Sequence, residues 1–141
     1  MDLKITYSAS DRLLRYVKID TQSDPDSGTC PSTPGQKTLG ALLVDELREI
    51  GLTDAEMDGN GYVYATIPSN TDKDVPVICL CAHMDTSPDC SGKDVNPVKH
   101  ENYAGGDIIL PADPTQVIKA DDNPDLQNQL GHTVITADGT T

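Results

Sequence analysis

Apolar residues follow two contrasting patterns along this chain. Between Lys37 and Ile50, Leu39, Leu42, Leu43, Leu47 and Ile50 recur at steps of three and four, the stripe of an amphipathic helix. Gly51 stands where such a helix stops. A shorter helix is expected from about Asp11 to Lys18, with Ser10 as its cap and Leu13, Leu14 and Val17 on its apolar face. Val75 to Ala82 (VPVICLCA) is apolar at successive rather than alternate positions. That pattern predicts a strand buried on both faces of an α/β sheet.

The intervening stretches carry turn chemistry. Asp20 to Gly35 and Pro68 to Asp74 read as loop and turn. Asp58-Gly59-Asn60-Gly61 is a turn leading into a strand over Tyr62 to Ile67, rich in β-branched and aromatic residues. From His83 to Gly131 the chain is polar and studded with proline, and only Asp107–Leu110 and Gln116–Lys119 read as short strands. Loops beyond about 12–15 residues in a compact domain are usually functional or mobile. A last strand is expected over His132 to Thr136. The Asp138-Gly139 turn that follows calls for a hairpin partner beyond the last residue.

Composition narrows the classes. The 141 residues are one domain's worth, or part of a larger one. Leu, Ile and Val make up about a fifth of the chain, and Phe and Trp are absent, so the core must draw on these residues, Ala and five Tyr. The net charge of −13 and the lack of a basic cluster argue against nucleic acid and anionic membranes as partners. No apolar run has membrane-spanning length, and the first residues carry charges where an export signal needs an apolar stretch. The expected compartment is the cytoplasm, with Cys30, Cys79, Cys81 and Cys90 as reduced thiols. Cys79 and Cys81, inside the apolar run, are expected to be core.

The sharpest chemical feature is Ala82-His83-Met84-Asp85-Thr86, at the carboxyl end of the expected buried strand, where α/β sheets gather their sites. His83 and Asp85, two apart, point to one side of an extended backbone. An imidazole can bind zinc through one nitrogen while a carboxylate orients the other. The plainer alternative is a strand-end pair bonded to loop backbone. Cys79 and Cys81 share the same face, which would permit a cysteine–histidine metal site. His100 and His132 have no evident partner. The acidic run around Asp121 and Asp122 lacks the spacing of a calcium loop. There is no serine-nucleophile elbow.

Five segments together carry a family resemblance. They are Arg15–Ser23, Pro31–Gln36, Ala82–Asp89, Glu101–Asp107 and Thr136–Thr141. On these the chain resembles the amino-terminal part of the two-zinc aminopeptidases and carboxypeptidases, and among them the tripeptide-cleaving aminopeptidases. The resemblance implies an α/β fold, part of a mixed-sheet, three-layer α/β/α catalytic domain. It also implies a metallo-aminopeptidase acting on tripeptides with two zinc ions, which polarise the peptide carbonyl and activate a bridging water. His83 matches a zinc-ligand histidine and Asp85 the aspartate that orients it. Pro31–Gln36 and Asn102–Asp107 match family segments without an assigned role. The resemblance further implies that residues 1–141 are the amino-terminal portion of the catalytic domain. The remaining ligands, the catalytic glutamate and the dimerisation domain would lie beyond Thr141, so this length alone is expected to be inactive. Two other readings stay open: an acidic α/β module that self-associates through open strand edges, and a small metal protein using Cys79, Cys81 and His83.

Overall fold

A computed structural model describes residues 3–140. Thr141, which closes the Thr136–Thr141 segment of the resemblance, lies outside them, as do Met1 and Asp2. Two helices lead the chain and small two-stranded antiparallel sheets follow, a mixture of helix and strand consistent with the expected α/β class.

Helix α1 spans Ala9–Tyr16. It starts two residues earlier than expected because Ser8, not Ser10, is the cap. The Ser8 hydroxyl accepts from the Asp11 N–H, and the Asp11 carboxylate accepts from the Ser8 N–H. This reciprocal box satisfies two of the backbone donors that a helix start leaves open. Leu13, expected on the buried face, is exposed. The helix is docked by polar groups instead: Arg12 and Tyr16 both donate to Oε2 of Glu46, and Arg15 Nη1 lies 2.5 Å from Glu46 Oε1 as an ion pair without hydrogen-bond alignment. Burial, and secondarily the bond to Glu46, push the Tyr16 hydroxyl above its ordinary pKa.

Glu46 belongs to helix α2, Pro34–Ile50, which begins three residues before the expected start, with Pro34 in the first turn. Its stripe buries Leu39 and Val44 and half-buries Leu42, Leu43, Leu47 and Ile50. Gly51 adopts φ 114°, the left-handed turn that ends the helix at no steric cost. The chain then forms β1, Glu56–Met57, antiparallel to β2, Val63–Tyr64. Asp58 closes the turn between them by accepting the Asn60 and Tyr62 N–H groups at 2.9 Å. The strand expected over Tyr62–Ile67 pairs only at its first residues, and Ile67 is exposed.

The polar, proline-rich stretch is more ordered than its composition predicts. Strand β3, Val98–His100, pairs antiparallel with β6, Val134–Thr136. Strand β4, Ile108–Ile109, pairs with β5, Val117–Ile118. A short helix, α3, covers Pro124–Gln127. Tyr103, Ile108 and Leu110 form a buried cluster, backed by Ile118, Leu126 and Val134. Among the described residues the partner of β6 lies upstream, in β3. Asp138 anchors the end of the described chain, accepting from Thr140 N–H, Thr140 Oγ1 and Asn96 Nδ2.

Val75–Ala82 is the main departure from expectation. It is neither paired nor buried: Val77 is 97 % and Leu80 92 % exposed, and Cys79 and Cys81 are exposed free thiols. No backbone hydrogen bond joins it to another strand among the described residues. A strand apolar on both faces needs a neighbour at each edge and a layer on each side. The other strands are already paired with one another.

Candidate functional site

The site is built where the end of that open segment meets the first two helices. Ala82–Ser87 and Cys90–Gly92 line one wall of a cleft of about 600 Å³, with Tyr16, Ile19, Leu39 and Leu43 opposite. Backbone bonds tie the walls together. Thr86 N–H donates to Thr21 C=O at 3.1 Å, and Ser23 N–H donates to Thr86 C=O at 2.9 Å, around a parallel bridge between Gln22 and Thr86. The Gln22 side-chain amide donates to the carbonyls of Pro88 and Cys90 at 2.9 and 3.0 Å.

Two segments that carry the resemblance thus hold a third. Thr33 Oγ1 donates to Gln22 C=O at 2.8 Å. Gly35 lies so close to Asp20 that an added Cβ would stand 1.6 Å from its carbonyl oxygen. Pro31–Gln36 and Arg15–Ser23 together form the seat on which Thr86–Cys90 rests. Asn102–Asp107 has a different role, inside the β3–β6 region. Tyr103 donates its hydroxyl to Gly106 C=O. Asp107 accepts from Lys119 Nζ at 2.7 Å and from Ala120 N–H at 3.0 Å.

His83 and Asp85 come together as the spacing predicts. His83 Nδ1 lies 2.8 Å from the Asp85 carbonyl oxygen and 3.2 Å from Asp85 Oδ1. The carbonyl offers only lone pairs, so in the neutral ring Nδ1 carries the proton and donates. Nε2 is then left with a free lone pair, on an imidazole whose side chain is 83 % exposed. That is the tautomer a metal-ligating histidine needs, with a carboxylate in the orienting position.

The remaining candidates separate from this pair. His100 Nε2 is bonded to Thr136 Oγ1 at 2.9 Å across the β3–β6 ladder. His132 contributes its backbone carbonyl to the Tyr103 N–H. Cys79, Cys81 and His83 do not converge: among the described residues no group of three or more His, Cys, Asp or Glu is arranged to hold a metal ion. No helix among them is long and apolar enough to cross a membrane. What spacing could not reveal is the seat, because Thr21 and Thr86 are far apart in the chain and their contact is backbone to backbone.

No protein-family model matches the sequence. Individual relatives do. The chain is 56 % identical over 131 residues to peptidase T of Bacillus cereus (strain Q1), which covers 93 % of this chain and 32 % of that protein. Peptidase T of Geobacillus sp. (strain WCH70) is 55 % identical over the same shares. Peptidase T of Bacillus anthracis (strain CDC 684 / NRRL 3495) is 56 % identical, again over 93 % of this chain. The chain spans about a third of the length of these relatives. Over nearly its whole length, this chain is a relative of peptidase T.

Proposed function

We propose that this chain forms the first-ligand portion of a zinc-dependent aminopeptidase of the peptidase T kind, which removes the amino-terminal residue of tripeptides. The observation that carries the reading is the His83–Asp85 pair, in the tautomer that leaves Nε2 free, on a chain 56 % identical to peptidase T. His83 would hold one zinc ion through Nε2. Asp85 holds the ring in place through Nδ1. Zinc, when bound in such a site, polarises a peptide carbonyl and lowers the pKa of a bound water. A catalytic zinc takes about three protein ligands, and the described residues bring one together. The 141-residue chain by itself therefore binds zinc weakly and does not turn over peptide.

The test has two arms. Replacing the residue of Bacillus cereus peptidase T aligned with His83 by Ala should abolish tripeptide hydrolysis and lower its zinc content, and an unchanged rate would overturn the assignment. The 141-residue chain, assayed with a tripeptide and added zinc, should show no turnover. Turnover that disappears in His83→Ala would sink the claim that its ligand set is partial.

A further inference from the structure

The His83 side chain is exposed, so its ring is only as fixed as the groups it bonds to. Its nearer acceptor is the Asp85 carbonyl, 2.8 Å from Nδ1, ahead of the Asp85 carboxylate at 3.2 Å. That carbonyl is one end of the Asp85–Thr86 peptide unit, and the Thr86 N–H is the other. A trans peptide is planar, and its C=O and N–H point in opposite directions. Whatever holds the Thr86 N–H therefore aims the Asp85 carbonyl. The Thr21 carbonyl holds it, at 3.1 Å. A peptide whose N–H is engaged is also the better acceptor, because hydrogen bonds in series polarise one another. The next carbonyl, that of Thr86, accepts from Ser23 N–H at 2.9 Å and from Ser23 Oγ at 3.0 Å.

Gln22 stands between Thr21 and Ser23. A side-chain amide has two hydrogens to give, and Gln22 gives them to the carbonyls of Pro88 and Cys90, at 2.9 and 3.0 Å. No other side chain among the described residues bonds those two carbonyls. The Gln22 N–H is itself fixed, donating to Asp20 Oδ1 at 3.1 Å. We propose that Gln22 is a positioning residue for the His83 imidazole. Its amide staples the chain after Thr86 onto the segment whose backbone holds Thr86. The Asp85–Thr86 peptide then keeps its carbonyl on Nδ1, and the ring keeps Nε2 open. The use of that open nitrogen rests on the zinc-peptidase reading; the way the ring is held does not.

The test reads the His83 tautomer by nitrogen NMR of isotope-labelled histidine rings in the full 141-residue chain. It is made at a pH where imidazole is neutral and with no metal added. The unaltered chain should show His83 mainly in the Nδ1–H form. Gln22→Glu keeps the shape of the side chain but withdraws both donors. The ratio of the Nδ1–H to the Nε2–H form should then fall by about threefold or more, the scale of one hydrogen bond. Gln22→Met, similar in length and uncharged, should do the same. Ser23→Ala removes one of the two donors to the Thr86 carbonyl and should lower the ratio less. His100, held by Thr136 Oγ1 across the β3–β6 ladder, should keep its ring signals in every variant. A change at His83 alone separates positioning from a general loosening of the chain. An unchanged His83 ratio in Gln22→Glu and Gln22→Met would overturn the proposal, and so would a change that His100 shares in equal measure. The zinc reading fails separately: a shifted ratio here, beside undiminished hydrolysis when the His83-aligned residue of peptidase T is replaced, would keep the role of Gln22 and remove the zinc.

Discussion

Val75–Ala82 and the stretch from β3 to β6 exchange the roles their compositions would give them. The first is the most apolar run in the chain and stands in solvent. The second is rich in Asp, Asn and Pro and closes around Tyr103, Ile108 and Leu110. Hydrophobicity alone does not bury a segment; a partner within reach does. The β4–β5 pair needs only the turn at Ala112–Thr115, and there Asp113 accepts from the Thr115 N–H and Oγ1 and from the Gln116 amide. Val75–Ala82 needs two neighbours, and among the described residues no strand pairs with it.

The largest expected effect bears on this contrast directly. Leu110→Ala should destabilise the chain by about 2–4 kcal/mol in urea unfolding, as cavities in buried clusters do. Leu80→Ala should stay within about 0.5 kcal/mol, the usual range for an exposed position. Equal losses would erase the distinction between the two regions. Next comes Glu46→Ala, expected to cost about 2–3 kcal/mol: the full loss of a buried ion-pair partner, reduced because Arg15 is 40 % exposed. Hydrogen exchange should then quicken in α1 and leave β3 and β6 unchanged. Exchange that quickened everywhere would mean that the two halves unfold as one.

Gly35→Ala should cost about 1–3 kcal/mol through overpacking against the Asp20 carbonyl. Its mark would be a change in the environment of His83, read from its ring proton shifts, because the seat under Thr86 would move. Acid gives the smallest and most local effect. Asp107, Asp113 and Asp138 are held below the ordinary carboxylate pKa by bonds from, respectively, the Lys119 ammonium and the Thr115 and Thr140 hydroxyls. Their folded values lie below their unfolded ones, so the folded state binds fewer protons. The stability they supply is present above about pH 4 and is lost as pH falls through the folded values. Lowering pH to about 3 should open amides between Val98 and Thr140, while the unpaired amides of Val75–Ala82 follow only the intrinsic exchange rate.

The sequence was most readable where structure closes locally. Helix α2 satisfies its own backbone and carries a five-residue apolar stripe, so its existence and its end at Gly51 were legible. The start of α1 is ambiguous in the pattern because two serines lie two residues apart, and only Ser8 has Asp11 three positions on to complete the box. Strand β3 was hidden by Pro97 and by a partner 36 residues away. Strand periodicity described Val75–Ala82 as it would be with neighbours, which it lacks. The His83–Asp85 contact was legible because period two alone brings the side chains together. The seat was not, because its backbone bonds leave no side-chain signature.

The bonds from Gln22 to Pro88 and Cys90 span 66 and 68 residues. Closing so long a loop costs more chain entropy than closing a hairpin, and contacts of that span form late in folding. The hairpins and helices come first, and the seat beneath Thr86 locks only after them. His83 and Asp85 hold each other from the outset, but their place beside the cleft is among the last things this chain acquires.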